Sequence, residues 1–241
     1  MTIDRKQMKA EAKLVMRSHR PSIYLMAMIY AVILYVLTTL TTRLQLPALT
    51  MDQIWALYSG ALSEQEILNL LPGLESPTVA SALLCVAMDL MKIVLSAGFS
   101  LVCLNAARRL PASAGTLFDG FSVFFRVIWL NVVIGVFVFL WSLLLIVPGI
   151  IAGYRYRFAL YILLDDPTKG ALECIRESKE LTCGHKGELF VLDLSFLGWA
   201  LLGAIPFVSI YTTPYMTLTD VNFYRAILRE GGAADGPAEV L

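Results

Sequence analysis

The sequence predicts an all-α fold, a polytopic transmembrane helical bundle of about six spans with both the N-terminus and the C-terminus cytoplasmic. Three observations carry this. First, 58% of the 241 residues are hydrophobic and only 16% are charged, whereas soluble domains are roughly half apolar and a quarter charged. Second, Val127–Leu164 runs for 38 residues with Arg155 and Arg157 as its only charges. As one straight helix it would reach about 57 Å, against a hydrocarbon core of ~30 Å, so it must reverse. Pro148 and Gly149 mark the expected hairpin turn. Third, the basic residues are one-sided. With six spans, 15 lysines and arginines fall on one face and only Arg43 on the other. The positive-inside rule makes the first face cytoplasmic. Merging the third and fourth spans would send the basic loop 165–187 outside, so the count argues for two spans there.

Residues 1–20 form the first expected element. Ile3, Met8, Ala12, Val15 and Met16 alternate with Arg5, Lys6, Lys9, Lys13, Arg17 and Arg20 at helical spacing. This is a basic amphipathic helix suited to an anionic leaflet, or the positive flank of span one. It lacks the apolar run and small-residue cleavage site of a removable signal peptide.

Residues 21–230 read as a single membrane domain. Span one is about 22–41, started by Pro21. An acidic loop follows, in which Ser63-Glu-Gln-Glu66 is a capping box for a short helix ending before Pro72-Gly73. Span two is about 78–107, closed by Arg108 and Arg109, and 111–126 is a loop. Spans three and four are about 127–147 and 150–164. In the segment 165–187, Asp166 is placed at an N-cap and Pro167 at the first helical position. An amphipathic surface helix over 167–183 follows, with Gly184 just beyond it. Span five is about 189–205, ended or kinked by Pro206. Span six, about 208–228, contains Pro214. Residues 231–241 are a small-residue tail expected to be disordered.

With Arg225 counted in the C-terminal flank, six charged residues fall inside these spans: Asp89, Lys92, Arg155, Arg157, Asp193 and Asp220. Their formal charges sum to zero. Each costs at least ~2.5–3.5 kcal/mol in lipid when alone, so pairing is expected. Asp89 and Lys92 are three apart and share a helix face. Arg155 and Arg157 lie roughly 200° apart around a regular helix and cannot share one partner. Two readings stay open. The charges are a structural network that holds the bundle, or they line a midplane polar cavity for an anion, ion or proton.

Other signals exclude more than they assign. Net charge is zero, which gives nucleic acid no purchase. Cys85, Cys103, Cys174 and Cys183 show no paired spacing and read as free thiols. His19 and His185 sit in no metal-binding spacing, and no metal or cofactor is implied. No catalytic motif is present, so no catalytic residue is assigned and the expectation is a non-enzyme. Gly149-x-x-x-Gly153 offers a close helix contact.

A set of short motifs runs through the second half. It comprises Phe118-x-x-Phe121, Val147-Pro-Gly-Ile150, Tyr154-x-Tyr156, Tyr161-Ile-Leu-x-Asp165-x-Pro167 and Ala171-x-Glu173-x-x-x-Glu177-Ser178. It continues with Gly184-x-Lys186, Leu194-Ser195-Phe196-Leu-Gly198-Trp199, Pro214-Tyr215 and Phe223-Tyr224. Together they resemble the domain of unknown function 975 family of uncharacterised bacterial integral membrane proteins. The resemblance covers about 118–224 and implies a multi-pass protein of the bacterial cytoplasmic membrane. It supplies no activity, catalytic residue or cofactor. The expected partners are membrane lipids and a protein docking on the helix 167–183. The expected role is a non-enzymatic scaffold or accessory protein. The alternative is a small transporter or lipid-handling protein.

Overall fold

The computed structural model describes residues 5–18, 22–45, 51–63, 65–66, 79–203 and 205–234. Among them every regular element is helical. In chain order these are α1 (Arg5–Ser18), α2 (Ile23–Gln45), α3 (Met51–Tyr58), α4 (Val79–Ala107), α5 (Ala114–Asp119) and a 3-10 turn (Gly120–Val123). Then come α6 (Phe124–Leu144), α7 (Ile146–Tyr156), α8 (Ala159–Asp165), α9 (Ala171–Leu181), α10 (Lys186–Leu202) and α11 (Pro206–Ala234). Pro21, Pro72, Gly73 and the tail from 235 lie outside the described residues, as does most of the helix expected after Ser63.

Three helical runs are long and apolar enough to cross a bilayer: Ile23–Leu44, Val79–Ala107 and Ala114–Leu144. Large apolar side chains such as Val32, Tyr35, Leu83, Phe139, Leu143 and Leu144 point outward from them. That surface is costly in water and matched to lipid, and it is compatible with a membrane protein.

The chain divides into two compact units, Val32–Lys92 and the combination of Met1–Ala31 with Ile93–Leu241. In the smaller unit, the Thr41 hydroxyl donates to the Leu37 carbonyl at 2.6 Å and to Met88 Sδ at 3.6 Å. Helix α3 falls within the stretch read as a plain acidic loop. Ser63 and Glu66 form the expected reciprocal cap. The Ser63 N–H and hydroxyl donate to the Glu66 carboxylate, and the Glu66 N–H donates to Ser63 Oγ. These bonds lower the Glu66 pKa.

In the larger unit, α6 and α7 form the expected hairpin with a different turn. The reversal is at Leu145, which is extended (φ −162°, ψ 147°). Pro148 and Gly149 are the third and fourth residues of α7. Pro148 is tolerated in a first turn because its missing N–H would have no helical partner. Gly149 provides close approach instead, since a Cβ there would collide with Ser142 of α6. Rings of Phe137 and Tyr156 meet further along, at 6.1 Å between centroids, as expected for antiparallel neighbours. The expected loop 111–126 is largely helical. Gly98 of α4 lies against the backbone of Leu117, and Gly120 against that of Val94 and Gly98, so neither has room for a Cβ.

Two more expected boundaries move. Asp166 does not cap a helix at Pro167. It accepts the Thr168 N–H (3.0 Å) and hydroxyl, which lowers its pKa and makes a local turn, and α9 begins after Gly170. Gly184 does take left-handed backbone, φ +88°. Pro206 neither ends nor kinks the fifth expected span. That helix stops at Leu202, and Pro206 opens α11.

Helix α1 buries Ala12 and Met16. Its cover is protein. The Asn222 amide of α11 donates to the Met8 carbonyl at 3.3 Å, and the Lys9 ammonium donates to Ser195 Oγ at 2.7 Å. Lys9 also lies 4.5 Å from the Phe196 ring centroid, and Lys13 lies 5.6 Å from that of Tyr215. Desolvation there, with Arg5 and Lys13 nearby, lowers the Lys9 pKa.

Candidate functional site

The centre of the larger unit is a break in a helix. Helix α7 ends at Tyr156, and Phe158 (φ −94°, ψ 0°) precedes α8. The buried Ser178 hydroxyl of α9 fills the gap. It donates to the Arg155 carbonyl at 2.8 Å and accepts the Phe158 N–H at 3.2 Å. Thr182, one turn on, reaches the same carbonyl at 3.5 Å. Buried backbone polar groups must be paired, and the hydroxyls of Ser178 in α9 and of Thr182 at its C-cap do this where the ladder lapses. Beside the break, Phe158 packs against Tyr161, Phe223 and Tyr224 with ring centroids 5.6–6.2 Å away.

The break aims Arg157 at two other helices. Its Nη1 donates to Asp193 Oδ2 at 2.6 Å and its Nη2 to Asp193 Oδ1 at 2.8 Å, a bidentate pair with α10. Nη2 also reaches both oxygens of Asp220 on α11 at 2.9 Å. The Tyr154 hydroxyl adds a 2.9 Å bond to Asp193 Oδ2. Side-chain exposures are 22% for Arg157, 34% for Asp193 and 20% for Asp220. One guanidinium thus meets two carboxylates, and the cluster carries one net negative charge.

Of the six intramembrane charges predicted, the structure groups these three. Asp89 and Lys92 pair with each other at 2.9 Å within the smaller unit. Arg155 joins neither group, and its Nε is buried without a hydrogen-bond partner among the described residues. The arrangement can lock three helices together electrostatically. No group of three or more His, Cys, Asp or Glu side chains that could hold a metal ion occurs among the described residues.

Sequence reasoning missed a second polar junction. Asp165 Oδ2 accepts from Arg108 Nη2 at 2.7 Å and from the Tyr224 hydroxyl at 2.9 Å. It joins the end of α4 to α8 and α11, while Oδ1 is buried with no hydrogen-bond partner among the described residues. The signal was available, since Arg108 and Asp165 fall on the expected cytoplasmic face and Tyr224 near the cytoplasmic end of the sixth expected span. His185 makes a third junction, with Nδ1 3.0 Å from Glu188 and Nε2 3.7 Å from Glu230.

The motif residues are mostly core. Phe196, Tyr215, Phe223 and Tyr224 are buried. Ser195 receives Lys9, and Trp199 packs on Tyr211 and Tyr215 with centroids 5.9 and 5.6 Å away. Pro214 lies inside α11, and a Cβ on Gly198 would meet open space. Two cavities lie near the helix ends. One of about 540 Å³ is lined by Glu177, Glu180, Cys183, His185, Ile227 and Glu230 among others. One of about 260 Å³ is lined by Arg126, Trp129, Leu163, Lys169 and the start of α9. Neither is lined by Arg157, Asp193 or Asp220.

Residues 143–230 match the model of a family described as a protein of unknown function, DUF975. This bears out the resemblance drawn from the motifs and narrows it, leaving Phe118 and Phe121 outside. The matched stretch runs from the end of α6 through most of α11 and contains Arg157, Asp193, Asp220, Ser178 and Tyr224. No curated protein and no solved structure matches this chain.

Proposed function

We propose that this chain is a six-span protein of a bacterial cytoplasmic membrane, with both termini cytoplasmic, that serves as a non-enzymatic scaffold or accessory protein binding lipid or a protein partner. One observation carries the reading. The Arg157 guanidinium is taken up by Asp193 and Asp220 from two other helices, and the two cavities described are lined by other residues. A guanidinium so engaged ties helices together and leaves little donor capacity for a ligand. A protein partner would meet the outer face of α9, where Leu172, Glu173, Arg176, Lys179 and Glu180 are exposed.

The second reading, a small transporter or lipid-handling protein, has the unbalanced carboxylate in its favour. Two carboxylates on one guanidinium leave a charge that a transported cation or proton would neutralise.

Reconstitution into sealed liposomes carrying a pH- or ion-sensitive dye separates the two. The scaffold reading expects no flux above protein-free liposomes. It also expects Arg157→Met to lower thermal stability strongly. Breaking a fully buried ion pair costs about 3–5 kcal/mol, and the partial exposure of Arg157 reduces this. Asp193→Asn, which leaves the Arg157–Asp220 pair, should cost less. Flux through the wild type that Asp193→Asn abolishes while the protein stays folded would overturn the scaffold reading.

A further inference from the structure

The C-terminus of α4 closes in an unusual way. The Arg109 N–H bonds the Ala106 carbonyl at 3.0 Å, and the Leu110 N–H bonds the Asn105 carbonyl at 2.9 Å. This is the paired-bond helix stop that normally places glycine in left-handed backbone. Here the position holds Arg109, at φ +60°, the sole non-glycine residue with positive φ among the described residues. A side chain there costs about 1 kcal/mol relative to glycine.

From α11, Arg225 Nη1 donates to the carbonyl of Ala107. That contact sets Arg225 against the same helix end, beside Arg108 and Arg109. Arg229 follows one turn later on α11, and all three are charged neighbours of Arg225. The opposing acids are Asp165, bonded to Arg108, and Glu11, facing Arg225. Four guanidinium groups therefore meet two carboxylates, and Arg109 and Arg229 have no acid partner among the described residues. Both side chains are exposed.

The cluster lies directly past the apolar helix Val79–Ala107. Leu110 and Leu228 border it and are exposed at 48% and 36%. Cations beside exposed apolar side chains at the end of a membrane-crossing helix fit a phosphate with acyl chains attached. A topological signal needs only basic residues in number. It requires neither an arginine in left-handed backbone nor one reaching across to another helix's carbonyl.

We propose that Arg109, Arg225 and Arg229, edged by Arg108, bind the phosphate of an anionic phospholipid in the adjacent leaflet. This rests on the reading of the chain as a lipid-binding membrane protein and names the lipid class. Guanidinium groups are suited to it because their fork geometry matches phosphate oxygens in pairs. Basic pockets between spans on the cytoplasmic side are a recurrent site for such head groups.

The test uses the full chain in phosphatidylcholine nanodiscs with and without phosphatidylglycerol, reading retained lipid by native mass spectrometry. Arg109→Gly removes the charge and supplies the residue that the backbone favours, so melting should hold or rise. Arg229→Gln changes an exposed side chain. Each should weaken the preference for phosphatidylglycerol over phosphatidylcholine about fivefold, and the double variant about 25-fold, at roughly 1 kcal/mol per interfacial charge. An unchanged preference in the double variant overturns the proposal. So does inorganic phosphate stabilising the detergent-solubilised protein as well as phosphatidylglycerol does, which would make the ligand a free anion. Liposome flux is the readout that sinks the scaffold reading, and lipid preference is the readout that sinks this one.

Discussion

Replacing Ser178 by alanine should damage the protein out of proportion to the one oxygen removed. Ser178 is fully buried. Its hydroxyl accepts the Phe158 N–H and is the nearer of two donors to the Arg155 carbonyl. An orphaned buried N–H costs about 1–3 kcal/mol. Thr182 at 3.5 Å is a weak substitute for the carbonyl. Alanine returns about 0.5 kcal/mol because serine is the poorer helix former. The net loss is therefore about 0.5–2.5 kcal/mol. The chain has one escape, which is to close the break so that Phe158 N–H bonds Tyr154 O in a regular helix. That would rotate Arg157 away from Asp193 and Asp220 and expose a second cost. The assay is thermal unfolding in detergent, followed by a thiol-reactive dye as buried Cys85, Cys103 and Cys174 become accessible, in a Cys183→Ser background. Ser178→Thr, which keeps a hydroxyl, serves as the partial rescue. A loss under about 0.5 kcal/mol would refute the reasoning, because a surface-like effect means the hydroxyl is not what holds the break.

Two further outcomes follow from the same geometry. Gly149→Ala should cost about 1–3 kcal/mol through collision with Ser142, whereas Gly153→Ala, whose Cβ meets nothing within 4 Å, should gain up to about 1 kcal/mol. Equal melting temperatures for the two variants would remove the close-approach role of Gly149. Cys183 is exposed while Cys174 is buried, and burial pushes the Cys174 thiol up, so less of it is the reactive thiolate at neutral pH. A membrane-impermeant maleimide should label Cys183 and spare Cys174. In sealed vesicles it should do so from the cytoplasmic face alone, and labelling from the opposite face would break the six-span orientation.

The long helices were legible because hydropathy reports length, and α2 and α4 fall within a few residues of the predicted spans. What hydropathy could not mark was a turn made of apolar residues. Leu145 reverses the chain while 65% exposed, and lipid charges no penalty for that, so no polar residue was needed to announce it. Pro148 misled for a related reason. Proline is as comfortable in a helix's first turn as in a loop, and its presence alone does not choose between them. The break after Tyr156 left no local trace because its stabilising hydroxyls come from Ser178 and Thr182, 20 and 27 residues away from the groups they serve. The amphipathic face of α1 was readable from spacing, yet a face does not say whether lipid or protein covers it.

The charges show the same division between near and far. Asp89 and Lys92, three residues apart, were readable as a pair from helix geometry alone. Arg157 finds its partners 36 and 63 residues away. Periodicity does state that Arg155 and Arg157 diverge, but it does not state which of them meets an acid. The neutral sum over six residues suggested one balanced network, and the geometry dissolves that balance. Setting aside the Asp89–Lys92 pair and Arg155, which has no acid partner among the described residues, leaves Arg157 between two carboxylates, with a charge of minus one. Neutrality of a whole set of spans satisfies membrane insertion, which integrates over the segment. It places no constraint on any single cluster. The surplus on Asp193 and Asp220 is therefore where the scaffold and transport readings part. A scaffold tolerates the surplus because Asp193 is 34% exposed and not sealed within the protein. A transporter would need that same access to open and close.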